Sequence, residues 1–396
     1  MGFRGRHHMR IDKQIIKILR ISVMILSIPL LAACIDTSGV GRRVDPGKPV
    51  KVAILVPAGS GQAQQDALAD SLVNAAKLAA SDVQGAQIDL MIYATAGNSA
   101  QAATVARQAV ADGAKIIVGP LFAEAANSVG SAVSSQNINV LSLSNNTQIA
   151  GGNVFVLGNT FENTANRLVQ YAARNGLNNI AAVASENAAG EIALDAVRKA
   201  TTAAGANYTG STSYAFSTEG VVGAVAAIKS QVTSTGTQAL VFSSDSAGAL
   251  PILAQLLPEN GLTPDVVKYM GLTRWDLPAS TLDTPGLQGG WFTLPDTSAM
   301  SAFTSRYSAA YGESPHPLAG FAYDGIAAIG ALLATGSPDA LTRTKLTRPD
   351  GFAGVNGVFR LLSDGTNQRA LSIAEVRDGK AVVIDPAPRG FGGAGS

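Results

Sequence analysis

One cysteine and three histidines are the whole supply, in 396 residues, of the side chains that most often build disulfides, thiolate clusters and imidazole catalysis. Cys34 has no second cysteine to pair with, so an intramolecular disulfide and a thiolate metal cluster are both excluded. His7 and His8 fall in an N-terminal leader, which leaves His316, and one imidazole cannot supply the paired ligands usual at catalytic zinc. A Ser/His/Asp triad would also have to be built on His316. Its setting, Ser314-Pro315-His316-Pro317, reads as an extended turn, where a loop or packing role fits better than catalysis. Charge is sparse as well, at 14% of residues and a formal net +1. Residues 1–33 carry six Lys or Arg and one Asp, so the chain beyond them is mildly acidic and has no basic footprint for nucleic acid. These absences predict a protein that is not an enzyme and holds no cofactor and no metal.

What the chain has in abundance is apolar surface, 46% of its residues, on a length that suggests two domains of about 150 residues each. Scattered positive charge precedes an apolar run from Ile21 to Leu31, about the length of a signal-peptide core and too short for a membrane-spanning helix. The run ends in Leu31-Ala32-Ala33-Cys34, which resembles a bacterial lipobox. That resemblance implies a leader at 1–33 and a lipid on Cys34 whose buried methylenes hold the chain to a membrane, each worth about 0.8 kcal/mol. Residues 34–50 are polar, with Gly and Pro, and read as a flexible tether.

From Lys51 onward, short apolar strands alternate with alanine-rich helical stretches, the pattern of parallel strands buried on both faces by crossover helices. Strands are expected at Val52–Val56, Ile88–Tyr93, Ile116–Val118, Val140–Leu143 and Val154–Leu157. The pattern restarts with Ile180–Ala184, Ala206–Tyr214, Ala239–Ser243 and Val267–Met270. Two successive sheets of this kind predict an α/β fold of two doubly wound lobes. In the last quarter, Gly289 to Phe292 is strand-like, helices follow at 298–311 and 318–334, and Leu371–Val376 and Lys380–Ile384 form a hairpin about Asp378-Gly379. Too few strands remain there for an independent sheet. The chain is therefore expected to cross back, with 51–160 and 298–385 forming the first lobe, 161–297 the second, and 386–396 a disordered tail. Several crossings between lobes make a multi-strand hinge.

The segment VAILVPAGSGQAQQ, Val52 to Gln65, has the outline of a dinucleotide loop, with Gly59-Ser60-Gly61 between strand and helix. The position of the third glycine is Gln64, and the second strand runs out at Ala94-Thr95 with no acid to grip a ribose. Both requirements fail, and a tight turn is the plainer reading.

Five stretches together resemble the bacterial type I periplasmic binding proteins, which include branched-chain amino-acid (leucine-binding) receptors: KVAILVPAGSG, DGAKIIVGPLFAEAANSV, INVLSLSNN, AGFAYDGIAAIGALL and the closing run from Gly351 to Val383. Within that group, LTRWDLPA at Leu272 to Ala279 and GGWFTLPD at Gly289 to Asp296 look like lipoproteins called penicillin-binding protein activators, in a short alphaproteobacterial form. That resemblance implies a non-catalytic regulator of peptidoglycan synthesis whose partner is a synthase, without the helical-repeat module of longer members. The alternative it implies is the substrate-binding protein of an ABC importer for amino acids or similar solutes. Both place the protein in the periplasm, held through its lipid. Ile35, which is not aspartate, suggests the outer membrane by resemblance to enterobacterial sorting.

Strand ends facing an interlobe crevice nominate Ser60, Phe122, Ser144, Asn145, Glu186, Asp245 and Arg274 as ligand-binding candidates. Each has an ordinary alternative: Ser144 and Asn145 as turn caps, and Glu186, Asp245 and Arg274 as solvated loop charges. Where amino-acid receptors offer a Tyr-Gly beside the ligand, this chain has Ala189-Gly190, and its loops are short of hydroxyls. Trp275 and Trp291 read as packing residues. Paired donors and an acid converging in the crevice would favour a solute, whereas a crevice filled by Phe122, or one lacking charge compensation, would favour a protein partner.

Overall fold

The computed structural model describes residues 1–3 and 42–391, and the account below concerns 42–391. The lipidation position Cys34, leader residues 4–33 and tether residues 34–41 lie outside the described residues. The rest of the expected tether is not free: Val44 is buried and its N donates to the Pro338 carbonyl at 2.9 Å, and Val50 opens the first strand, so the flexible-tether expectation is corrected for that part.

Strand β1 (Val50–Val56) shows how the sequence sets the architecture. Val52, Ile54 and Val56 enter one apolar core while Ala53 and Leu55 enter another on the opposite face. Side chains alternate across a strand, so a strand apolar at every position requires helices on both sides. β3 (Ile116–Val118) repeats the pattern, with Ile116 and Val118 on one face and Ile117 on the other. With β2 (Ile88–Ala94), β4 (Asn139–Ser142) and β5 (Val154–Val156) they form a parallel sheet in the order β2-β1-β3-β4-β5.

The second sheet contains β6 (Asn179–Ser185), β7 (Asn207–Tyr214), β8 (Ala239–Phe242), β9 (Lys268–Gly271) and β10 (Trp291–Leu294). Its parallel part runs β7-β6-β8-β9-β10, the same order as the first sheet shifted by five strands. Ala181 and Val183 point into one core and Ile180 and Ala182 into the other, so this sheet too is covered on both faces.

The closing segment divides between the lobes, which corrects the expectation that 298–385 belongs wholly to the first. Helices at Thr297–Tyr311 and Ala319–Leu333 do return to the first lobe, burying Phe303, Tyr307, Ile326 and Ile329 beside β1 and β3. The short pair β11 (Phe359–Leu361) and β12 (Asn367–Arg369) lies there as a separate two-stranded sheet. The hairpin of β13 (Ser372–Arg377) and β14 (Lys380–Asp385) instead extends the second sheet, β13 pairing antiparallel with β10. An antiparallel hairpin can join an open edge without a crossover helix, and this one places Ile373 in one core and Ala374 and Val376 in the other. Trp291 Nε1 donates to Glu375 across that seam at 2.9 Å.

The expected disordered tail is also corrected in part. Ala387 N donates to Ser372 Oγ at 3.0 Å, and the Arg360 guanidinium lies 4.8 Å from the Phe391 ring centroid. Residues 392–396 lie outside the described set. Both tryptophans are packed, Trp275 stacking on Phe292 and Trp291 meeting Tyr171 edge-on.

Candidate functional site

Three crossings join the lobes, at 157–160 after β5, at 295–296 after β10, and at 370–371 after β12. A cavity of about 600 Å³ sits directly on them and takes walls from both sides. The first lobe supplies Leu121, Phe122, Leu143, Ser144 and Asn145 from the loops after β3 and β4; the second supplies Leu272, Thr273, Arg274 and Leu277 after β9. Gly158, Asn159, Leu294, Pro295, Arg369 and Leu371 belong to the crossing segments or border them. The walls are mostly apolar with a few polar groups, and a hinge runs along the floor, the usual make-up of a small-molecule site.

Two close backbone approaches shape the first-lobe wall. Gly119 has φ +86°, and a Cβ there would fall 2.3 Å from the Leu55 carbonyl oxygen, so only glycine lets the chain turn after β3 and present Leu121 and Phe122. A Cβ at Gly158 would stand 2.5 Å from the Ser144 carbonyl oxygen, where the first crossing presses against the loop after β4.

Of the seven nominated residues, the structure brings four together: Phe122, Ser144, Asn145 and Arg274 line this cavity. Phe122 lines it without filling it, and remains 37% exposed. Ser144 Oγ accepts from Asn146 N at 3.1 Å, the capping role foreseen for it, yet the residue still faces the cavity. Ser60, Glu186 and Asp245 do not line it. They follow β1, β6 and β8, whereas the cavity lies over β3, β4 and β9, next to the hinge. Ser60 Oγ is taken up locally by Gln62 N, and Glu186 and Asp245 are exposed.

The glycine loop that resembled a dinucleotide site is closed by the chain's own acid. Gly59 N donates to Asp66 Oδ1 at 2.8 Å and Ser60 N to the same oxygen at 3.4 Å. A carboxylate already stands where a pyrophosphate would need those amides. Among the described residues, no group of three or more His, Cys, Asp or Glu is placed to hold a metal, and no helix is long and apolar enough to cross a membrane.

A family model described as "Periplasmic binding protein" matches residues 49–381, both lobes and the hinge included. The chain belongs to the periplasmic binding protein family. Membership implies a periplasmic location and a family that typically works by binding. Solved structures carry the same fold. A putative branched-chain amino acid ABC transporter protein from Rhodospirillum rubrum is 19% identical with a TM-score of 0.71, over 85% of this chain and 100% of that one. A solute binding protein from R. palustris, in complex with benzoate, is 17% identical with a TM-score of 0.57, over 88% and 98%. A substrate-binding protein from Desulfitobacterium hafniense, in complex with Leu, is 16% identical with a TM-score of 0.62, over 85% and 100%. No match is found among curated proteins. The α/β, two-lobed architecture expected from the strand pattern, in the type I form that the resemblance implied, is therefore the fold of this periplasmic binding protein.

Sequence reasoning missed the buried charged group in the cavity lining. Arg369, on β12, has a fully buried side chain whose Nη1 donates to Asp324 at 2.8 Å, with Nε and Nη2 on the Leu157 carbonyl at 2.9 and 2.6 Å. Its guanidinium carbon lies 4.7 Å from the ring centroids of both Phe321 and Phe359. Burial draws the guanidinium below its ordinary pKa, with Asp324 opposing that shift. Asp324 also accepts from Val355 N at 2.7 Å and Asn356 Nδ2 at 3.0 Å. The signal was present in the sequence: an aspartate inside the apolar helix AGFAYDGIAAIGALL demands a buried cationic or multiply donating partner. Which residue answers it is a tertiary fact. Around it, Asn367 Nδ2 donates to the Val156 and Gly158 carbonyls, and Asn163 Nδ2 donates to Asn367 Oδ1, so the crossings are tied by side-chain hydrogen bonds.

Proposed function

We propose that this chain is a non-catalytic solute-binding protein that closes its two lobes on a small, largely apolar molecule and presents it to an ABC importer. The observation that carries this reading is the cavity of about 600 Å³, open to both lobes and floored by the crossing strands that would bend as the lobes approach. Exposed apolar side chains stand on both jaws, Phe122 at 37% and Leu277 at 38%, and a bound solute would cover them. The neighbours solved with benzoate and with Leu set the size class. The test is thermal-shift screening of the full chain against small organic acids, amides, amines and amino acids, followed by small-angle scattering with and without the best compound. A specific rise in melting temperature with a reduced radius of gyration is the expected result; no response to any solute class overturns the reading.

One observation favours the second reading, a penicillin-binding protein activator that regulates peptidoglycan synthesis through a synthase. Among the described residues no carboxylate side chain lines the cavity, so an amino-acid ligand would leave its ammonium without a partner there. Retention of a peptidoglycan synthase on the immobilised chain, absent with a related solute receptor, supports that reading. Both readings carry a lipid on Cys34 as the tether, which the lipobox-like Leu31-Ala32-Ala33-Cys34 supports, and the outer membrane as its place, which rests on the resemblance of Ile35 to enterobacterial sorting. Incorporation of labelled fatty acid that is lost in Cys34→Ala tests the anchor, and membrane fractionation tests its place.

A further inference from the structure

Among the described residues, the cavity takes two arginines and no Asp or Glu into its lining, and the two arginines are in different states. Arg369 is fully committed, its three nitrogens on Asp324 and the Leu157 carbonyl and its plane between two phenyl rings. Arg274 is 34% exposed and binds Asp276 through Nε, at 2.6 Å, and Nη2. Its Nη1 makes no hydrogen bond to any described residue. Asp276 is not among the residues lining the ligand cavity; it lines a second, smaller cavity of about 320 Å³ together with Thr297, Ser301 and Thr304, while Arg274 borders both. Of the two lining arginines, Arg274 is thus the one that keeps a guanidinium nitrogen outside its ion pair.

We propose that Arg274 reads the charge of the solute, and that the cavity selects apolar carboxylates that carry no ammonium group. This rests on the solute-binding reading above. A carboxylate in the cavity meets Nη1 of Arg274 on one jaw, and on the other the Ser144 hydroxyl, whose oxygen already accepts from Asn146 and whose hydrogen is uncommitted, and the exposed Asn145 amide. Charge-assisted hydrogen bonds of this kind are about twice as strong as neutral ones. An ammonium finds no anion there. Enclosing it costs several-fold to several hundred-fold in affinity, depending on how much water it keeps. Asp276 holds the guanidinium in place between binding events and withdraws part of its field, which sets a weak rather than a tight carboxylate site.

The experiment uses the full chain in mild detergent and two matched carbon skeletons, read by isothermal titration and thermal shift. One set is 4-methylpentanoate, 4-methylpentanamide, leucine and 3-methylbutylamine; the other is 3-phenylpropanoate, 3-phenylpropanamide, phenylalanine and 2-phenylethylamine. At least one carboxylate is expected to bind roughly tenfold or more tighter than its amide, amino acid and amine. Arg274→Gln should lower carboxylate affinity by about ten- to a hundredfold while changing amide affinity by no more than about threefold. Asp276→Asn should hold or raise carboxylate affinity. An amino acid or amine that binds as tightly as its carboxylate overturns the inference, and so does an Arg274→Gln protein that loses amide and carboxylate alike. If the amides bind and the carboxylates do not, the inference fails while the solute-binding reading stands. If neither set nor any solute in the wider screen binds, both fall.

Discussion

Arg369 and Asp324 form an ion pair in which neither side chain has any solvent exposure, at 2.8 Å, where the floor of the cavity meets the hinge. Pairing and four further hydrogen bonds make this burial tolerable: the carboxylate has donors from Val355 and Asn356, and the guanidinium gives two to the Leu157 carbonyl and lies against two aromatic rings. Removal of one partner strands the other. Arg369→Met and Asp324→Leu should each lower unfolding stability by about 3–5 kcal/mol, whereas the double substitution should recover a large part of the sum. Urea denaturation of the three variants measures this, and strictly additive losses would show that the pair acts as two independent sites.

The turn after β3 depends on a torsion and on a close backbone approach together. Gly119→Ala imposes a side chain at φ +86° and drives its Cβ toward the Leu55 carbonyl. A loss of roughly 2–4 kcal/mol is expected, together with displacement of Phe122. Gly59→Ala should cost less, about 1 kcal/mol, because Gly59 has a similar torsion with nothing near the added carbon. Parallel melting curves for the two variants separate strain from collision.

Acid should loosen the second lobe through Glu375. Burial alone would raise its carboxyl, but the hydrogen bonds from Arg377 and Trp291 outweigh burial and hold it below its ordinary value of 4.5. A depressed carboxyl contributes stability that is full above the unfolded value and lost as pH falls through the folded one. The stability gap between the parent and Glu375→Gln is therefore expected at pH 7, narrowing as pH falls below the ordinary value of 4.5 and closing once it has passed through the lowered folded value. Denaturation midpoints across that range test it. A gap that stays constant with pH would mean that the charge plays no part.

The paired apolar jaws make a prediction about ligand affinity. Phe122→Ser and Leu277→Ser each remove a large side chain from one wall. Each should weaken the best solute found by screening by roughly tenfold, with little change in melting temperature of the empty protein, since both residues are partly exposed. Titration and melting of the same samples distinguish a lost contact from a damaged fold.

Much of the architecture was legible because local rules and long-range packing agreed. Val52–Val56 and Ile116–Val118 are apolar at every position, and the period-2 geometry of a strand turns that into burial on both faces, hence helices on both sides and parallel pairing. The single cysteine and the single histidine beyond the leader limited the available chemistry without any coordinates. The strand-end rule also nominated Phe122, Ser144, Asn145 and Arg274, which line the cavity between the lobes.

What the sequence could not decide was which distant segments meet. The alternation in Ser372–Arg377 says that the hairpin lies on a sheet with two buried faces, but only the open edge of β10 determines that it joins the second. Ser60, Glu186 and Asp245 obey the same strand-end rule as the four lining residues; they miss the cavity because the hinge lies beside β4, β5 and β9 rather than β1, β6 and β8. Asp324 announces in sequence that a buried partner is needed, and Arg369, 45 residues away, answers it. Periodicity and composition act over a few residues at a time and determine strands, helices and their buried faces. The placing of a cavity depends on chain crossings hundreds of residues apart, whose geometry is set by packing the two lobes on a shared hinge.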